Sequence, residues 1–272
     1  MSRINATVKK KLDAQQKVLI PYLVAGDPDI NTSLRLMHAL VDAGADIIEL
    51  GVPFSDPSAD GEVIQRGVER SLKNCTTLLD VIELVEAFRQ SNDRTPVVLM
   101  GYLNPAEILG YERFVGAASK AGVDGILMVD MPPSESAELS RLLNEASIDL
   151  IFLVAPTTSE ERARLIVQRC TGYLYYVSLK GVTGAAISDS ESIANNISLL
   201  RTFTDLPIVV GFGIKDPESA ARMGSLADGV VIGSALVERI AGFWGNAEVD
   251  DSSIEAAVSL IAEARAELDI VN

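Results

Sequence analysis

The segment Ala45-Asp-Ile-Ile-Glu-Leu-Gly-Val-Pro-Phe-Ser-Asp-Pro-Ser-Ala-Asp-Gly61 carries the clearest information about the fold. Its first six residues predict a buried strand, and the two prolines and the final glycine interrupt any regular element beyond it. Glu49 is therefore predicted at the carboxyl end of a strand, with Asp56 and Asp60 on the following loop. Two carboxylates in different surroundings suit acid–base chemistry on one substrate.

Seven further apolar runs resemble this strand. They are continuous rather than alternating, which is typical of parallel strands that are buried on both faces. The predicted strands are Val18–Ala25, Asp46–Leu50, Pro96–Gly101, Gly125–Val129, Leu150–Ala155, Tyr173–Ser178, Pro207–Gly211 and Asp228–Ile232.

Amphipathic segments separate the strands. Two predicted helices, Ser33–Ala43 and Ala106–Ala121, each stop at a glycine, and the run from Thr158 to Glu161 resembles a capping box at the start of another. Eight strand–helix units predict an α/β fold, a single (β/α)8 TIM barrel over residues 1–272, since such barrels take about 250 residues. We also expect an extra N-terminal helix and a short helix after strand eight.

Composition excludes several classes of function. The formal net charge of −15 disfavours binding to nucleic acids and to anionic membrane surfaces. Cys75 and Cys170 form no close-spaced pair, and His38 is the only histidine, so we expect neither a disulfide framework nor a multi-histidine metal site. The N-terminus lacks a signal-peptide core and no apolar run is long enough to span a bilayer, so we expect a cytoplasmic protein.

Glycines follow three of the predicted strands, in Ser178–Gly184, Gly211–Gly213 and Gly233–Ser234. Glycine lets backbone N–H groups approach a phosphate, and a helix that starts at Ser234 would add the positive end of its dipole. Barrel enzymes often bind phosphate after strands seven and eight. The three loops together therefore predict a phosphate site.

The run from Glu49 to Gly61 resembles the active-site segment of the tryptophan synthase alpha chain family. It departs from the commonest family pattern at Ser58, and the residue that follows it, Glu62, departs as well. Other matching segments are Gly26-Asp-Pro28, Asn104-Pro105 and Asp130-Met-Pro132. The resemblance covers essentially the whole chain. It implies a lyase of tryptophan biosynthesis that cleaves indole-3-glycerol phosphate to indole and glyceraldehyde 3-phosphate.

The resemblance also implies roles for individual residues. Glu49 and Asp60 would be catalytic, and Tyr175 would line the site near the glutamate. Tyr22 and Leu99 occupy barrel positions that could line an aromatic pocket or simply pack in the barrel. Phosphate contacts are implied for Gly184, Phe212, Gly213, Gly233 and Ser234, and partner contacts for Pro53, Asp56 and Pro132.

The family implies no metal or organic cofactor in this chain. Its partner would be a β subunit that contains pyridoxal phosphate, in an α2β2 heterotetramer. Two alternatives stay open at this point. Lys180 could form a Schiff base in a different aldolase, or the chain could be a non-catalytic subunit that only activates a β partner.

Overall fold

The computed structural model describes residues 2–177, 188–211, 213–245 and 249–271. Eight parallel strands form a closed barrel in chain order, and the last strand pairs with the first. The predicted (β/α)8 barrel is confirmed, and every predicted strand overlaps an observed one. The strands are β1 (Val18–Val24), β2 (Ile48–Gly51), β3 (Val97–Gly101), β4 (Gly125–Met128), β5 (Asp149–Val154), β6 (Leu174–Val177), β7 (Ile208–Gly211) and β8 (Gly229–Ile232).

Helices surround the barrel, and α1 lies across its amino end. Ile4 and Val8 of α1 are buried in the same cluster as the inward-facing strand residues, so this helix closes the bottom of the barrel. No described helix has both the length and the apolar character needed to cross a bilayer. The helices are α1 (Arg3–Asp13), α2 (Ile30–Asp42), α3 (Glu62–Lys73), α4 (Leu78–Arg89), α5 (Leu103–Leu109), α6 (Tyr111–Ala121), α7 (Ala137–Glu145), α8 (Glu160–Arg169), α9 (Ser188–Arg201), α10 (Pro217–Gly224), α11 (Ser234–Ala241) and α12 (Asp251–Leu268).

Two helix predictions need correction. The helix predicted over Ala106–Ala121 is two helices, because Gly110 takes a φ of 86° and turns the chain between α5 and α6. The cap of α8 lies one residue later than predicted. The Ser159 side chain accepts from the backbone N–H of Arg162, whereas the Thr158 hydroxyl accepts from the backbone at the end of β5.

The strand side chains fall into two apolar layers. Residues that point inward, such as Ile20, Val98 and Val209, form one buried cluster. Residues that point outward, such as Leu19 and Leu99, pack with the helices in a second and larger cluster. Because both faces are buried, the strands lack the polar alternation of a solvent-exposed sheet.

Ion pairs on two aspartates whose side chains are largely buried hold the amino end of the barrel together. The Asp124 carboxylate accepts from Arg3 at 2.8 Å and from Arg89 at 2.6 Å. Asp46 lies 2.8 Å from Lys11 and 3.1 Å from Arg265. These pairs tie α1, α4 and α12 to the strand starts, at the end of a TIM barrel that usually contributes stability rather than chemistry.

Two glycines provide a matched test of this packing. A Cβ on Gly229 of β8 would lie 2.6 Å from the Val18 carbonyl oxygen, which is backbone and cannot move aside. Gly229→Ala should therefore destabilise the fold by about 1–3 kcal/mol. Gly116 is an exposed residue of α6 with no heavy atom within 4 Å of an added Cβ.

The control, Gly116→Ala, should stabilise the fold by up to about 1 kcal/mol, because alanine is the better helix former. Urea unfolding of both variants measures the difference. If the two substitutions had the same effect, the close approach of β1 and β8 would not limit stability.

Candidate active site at the carboxyl ends of the strands

A cavity of about 390 Å³ opens at the carboxyl ends of the strands. This volume lies in the range of about 300–1,000 Å³ that is typical of small-molecule sites. A larger hollow of about 590 Å³ lies near the amino end, between polar residues of α1, α7 and α8, away from the catalytic candidates. We assign the candidate site to the smaller cavity, whose apolar walls are Ile64, Met100, Val129, Leu153, Val177 and Val231.

Glu49 lies on β2, points into the barrel and is 0% exposed. One carboxylate oxygen accepts a hydrogen bond of 2.6 Å from the Tyr173 hydroxyl, and the other has no partner among the described residues. Burial raises the pKa of Glu49 to about 7, although the bond from Tyr173 acts in the opposite direction. The group can therefore exchange a proton near neutral pH, which is what a general acid–base requires.

Asp60 lies on the loop after β2 and lines the cavity. Its carboxylate accepts a 2.9 Å hydrogen bond from the Tyr102 hydroxyl, and that hydroxyl in turn accepts from the backbone N–H of Ala59 at 2.9 Å. Burial raises the pKa of Asp60, and the bond from Tyr102 lowers it. Gly61 occupies the N-cap position of α3. Asp60 is thus held by Tyr102, the residue that follows β3, and faces the cavity instead of capping the helix.

Two tyrosines cross the mouth of the barrel above glycines. A Cβ on Gly51 would collide with the Tyr22 hydroxyl, and a Cβ on Gly211 would collide with the Tyr175 hydroxyl. Both tyrosines line the cavity. Burial, followed by nearby charged groups that include Glu49, raises the pKa of each hydroxyl well above its usual range, so both stay protonated as hydrogen-bond donors.

The predicted phosphate residues are only partly described. Gly213 has a φ of 75°, and Gly233 precedes α11, which begins at Ser234. All three line the cavity. Gly184 and Phe212 lie outside the described residues, as does Lys180. The described part of the predicted site is thus an open loop and a helix start at the ends of β7 and β8.

The prediction that Leu99 lines the pocket is wrong. Leu99 points outward into the cluster between the strands and the helices, and the next residue, Met100, lines the cavity instead. The register pairs Glu49 with Val98, so Val98 and Met100 share the inward face of β3. A shift of one residue along a strand moves a side chain to the opposite face.

Two hydrogen-bond donors escaped the sequence analysis. Tyr173 shares the inward face of β6 with Tyr175, two residues away, and this spacing could have revealed it. Tyr102 follows β3 and lies 42 positions from Asp60 in the chain, so no local sequence pattern predicts their contact.

The three predicted partner residues differ in exposure. Asp56 is exposed and Pro132 is half-buried. Pro53, for which a partner contact is also implied, is buried in this chain. The chain still runs beside β3 at this point, where the Val52 N–H donates to the Met100 carbonyl at 2.8 Å.

Among the described residues, no group of three or more histidine, cysteine, aspartate or glutamate side chains is arranged to hold a metal ion. The polar groups that the described residues bring to the cavity include carboxylates, the tyrosine hydroxyls, the Ser234 hydroxyl and backbone N–H groups.

Comparison with known proteins identifies the family. The family model described as tryptophan synthase alpha chain matches residues 8–266. The chain is 53% identical over 270 residues to the tryptophan synthase alpha chain of Thioalkalivibrio sulfidiphilus, covering 99% of this chain and 100% of the relative. It is 51% identical over 269 residues to that of Methylococcus capsulatus, again covering 99% and 100%.

Solved structures agree with the sequence relatives. The crystal structure of tryptophan synthase subunit alpha from Legionella pneumophila superposes with a TM-score of 0.91 at 41% identity and covers 100% of both chains. A tryptophan synthase structure from M. tuberculosis superposes with a TM-score of 0.86 at 30% identity, covering 98% and 99%. The chain therefore belongs to the tryptophan synthase alpha chain family, the lyases that cleave indole-3-glycerol phosphate in tryptophan biosynthesis.

Proposed function

We propose that Glu49 and Asp60 carry out the retro-aldol cleavage of indole-3-glycerol phosphate to indole and glyceraldehyde 3-phosphate. The observation that carries the proposal is an apolar cavity lined by the Asp60 carboxylate, with the buried carboxylate of Glu49 on the preceding strand β2 directed into the barrel. Burial raises the pKa of both carboxyl groups. Glycines and a helix start lie at the ends of the neighbouring strands. An apolar ring, a proton-transfer centre and an anion can therefore be held together.

The chemical problem is the leaving group. Direct cleavage of the bond between indole C3 and the glycerol chain would expel a carbanion. Protonation of C3 by Glu49 turns the ring into an electron sink, while Asp60 accepts the ring N–H and stabilises the charge that grows on nitrogen. Glu49 then takes the proton of the hydroxyl that becomes the aldehyde. Each such proton transfer typically contributes about 10²–10⁴-fold to the rate.

Glu49 must move to do this work. Its carboxylate lies below the cavity and is held there by the hydrogen bond from Tyr173. Rotation about its side-chain bonds would carry the carboxylate upward, between Tyr22 and Tyr175. The oxygen without a partner favours such a rotation, because a buried carboxylate oxygen is costly to leave unpaired.

The phosphate and the ring would bind by different means. Backbone N–H groups near Gly213 and at the start of α11 would hold the phosphate, together with Gly184 and Phe212 of the undescribed segments. The ring would lie against Met100, Val129 and Leu153. No lysine occurs among the described residues that line the cavity, so nothing in the described site favours the Schiff-base alternative.

We also propose docking to a β subunit that carries pyridoxal phosphate, in an α2β2 assembly in the cytoplasm; the location rests on the family alone. The loop after β2 presents exposed Asp56, the loop after β4 presents half-buried Pro132, and helix α5 after β3 presents Ile108, which is 79% exposed. These loops are linked, since the Leu103 N–H donates to Asp130 at 2.9 Å and Tyr102 donates to Asp60.

The first test replaces Glu49. Glu49→Gln keeps an acceptor for Tyr173 but cannot transfer a proton, so indole formation from indole-3-glycerol phosphate should fall by roughly 10²-fold or more. The assay is run on the isolated chain and with a β subunit. Near-normal indole release by the variant would remove Glu49 from the mechanism. No turnover by the wild-type chain in either assay would instead favour the non-catalytic alternative.

Glu49→Gln should also be more stable than the wild-type chain at alkaline pH. The pKa of Glu49 is about 7 in the folded protein and 4.5 ordinarily. Below pH 4.5 the group is protonated in both the folded and the unfolded state, so it does not lower the free energy of unfolding. Above pH 7 it is ionised in both states, and burial of the charge lowers the free energy of unfolding by the full amount. At 1.36 kcal/mol for each pH unit, that amount is about 3 kcal/mol. Urea unfolding should show Glu49→Gln stabilised by about 3 kcal/mol at pH 8 and by less than about 1 kcal/mol at pH 5.

The hydrogen bond from Tyr173 gives a second, pH-dependent test. If Glu49 first donates a proton, kcat should fall as the pH rises through about 7. Tyr173→Phe removes a bond that favours the carboxylate, so the pKa of Glu49 should rise and the fall in kcat should move to higher pH. Tyr176→Phe is the control, because Tyr176 lies on the outward face of the same strand. A fall on the acid side instead would mean that Glu49 starts as a base.

Docking is tested at Asp56. Asp56→Ala should weaken activation by the β subunit and leave the basal activity of the isolated chain nearly unchanged, because this side chain points to solvent and away from the cavity. Asp93→Ala removes another exposed carboxylate, at the amino end of the barrel, and should change neither activity. Equal loss of basal and stimulated indole formation in Asp56→Ala would place Asp56 in the catalytic site.

A further inference from the structure

The Tyr22 hydroxyl, on a nearly buried side chain, has no hydrogen-bond partner among the described residues. Tyr22 is 7% exposed and lines the cavity. Within the described ranges of the chain, no hydrogen bond involves its hydroxyl. The hydroxyl of a nearly buried side chain normally has a partner, because desolvation without one is costly. Its position at the cavity indicates that the partner is a ligand.

The local structure fixes where this hydroxyl points. Tyr22 pairs in register with Glu49 of the adjacent strand. The hydroxyl extends over Gly51, where any side chain would collide with it, and the ring passes below Gly233, whose added Cβ would lie 3.6 Å from the ring. One edge of Tyr22 thus faces the predicted phosphate loop and its hydroxyl end lies on the side of the carboxylates.

The order of strands gives this position a chemical meaning. β1 lies between β8, which leads to the predicted phosphate site, and β2, which carries Glu49. A substrate with its phosphate above β8 and its reacting carbon above Glu49 must pass its glycerol chain over β1. The inward-facing residues of β1 are Val18, Ile20, Tyr22 and Val24. Tyr22 is the only one of them with a polar side-chain atom.

We propose that the Tyr22 hydroxyl donates a hydrogen bond to the middle hydroxyl of the glycerol chain, the one that remains an alcohol in glyceraldehyde 3-phosphate. The inference rests on the proposed function and adds a contact that selects a hydroxylated chain. Burial, followed by the charges of Asp60 and Glu49, raises the pKa of Tyr22 well above its usual range, so the hydroxyl stays protonated and acts as a donor. The other chain hydroxyl, next to the indole ring, is the one whose proton Glu49 takes.

Two inert analogues isolate this contact. Indolylpropyl phosphate lacks both chain hydroxyls, and its derivative with one hydroxyl on the middle carbon lacks only the hydroxyl that becomes the aldehyde, so neither can be cleaved. Calorimetric titration gives the Kd of each analogue for wild type, Tyr22→Phe and the control Tyr176→Phe. Tyr176 lies on the outward face of β6, where its hydroxyl accepts from Asn196 at 3.0 Å.

Tyr22→Phe should raise the Kd of the hydroxylated analogue by about three- to tenfold, the usual effect of losing one neutral hydrogen bond, and leave that of indolylpropyl phosphate unchanged. Tyr176→Phe should change neither. An equal increase for both analogues, or none for either, would overturn the inference. If the wild-type chain neither bound the analogues nor cleaved indole-3-glycerol phosphate, the proposed function itself would fail.

Discussion

The alternation of inward and outward side chains in a closed parallel barrel is the constraint on which this site depends. Eight strands finish at the same rim, so a residue that points inward near its strand end meets the inward residues of its neighbours. Glu49, Tyr22 and Tyr175 meet in this way although they lie far apart in sequence. Gly51 and Gly211 also lie at inward-facing positions of their strands, and because they have no side chain they leave room for the hydroxyls of Tyr22 and Tyr175.

The burial that suits Glu49 to proton transfer also lowers the stability of the folded protein. The same desolvation that raises its pKa to about 7 opposes the ionised form in the folded protein. Tyr173 stabilises one carboxylate oxygen and leaves the other without a described partner. Asp60 is controlled differently. Its position depends on a loop and on Tyr102 of the neighbouring strand segment, so it can respond to changes at the surface in a way that Glu49 cannot.

The surface and the cavity are connected through this loop. Exposed Asp56 and cavity-facing Asp60 are four residues apart on this loop. Tyr102 contacts the loop through its hydroxyl, which donates to Asp60, and through its ring, whose centroid lies 5.2 Å from that of Phe54. A partner that orders the outer part of the loop would therefore also order Asp60. The entropy lost by the loop would be offset by interface contacts instead of by substrate binding.

The sequence by itself determined the barrel and the place of Glu49 on the second strand, because apolar runs and chain-breaking residues are local properties. Only the tertiary structure decided that Met100 and not Leu99 faces the cavity, and that Tyr173 and Tyr102 hold the two carboxylates. A strand buried on both faces shows no polar alternation, so its sequence cannot reveal which residues point inward. Barrel closure and register set that choice, and they arise from contacts between strands that are distant in the chain.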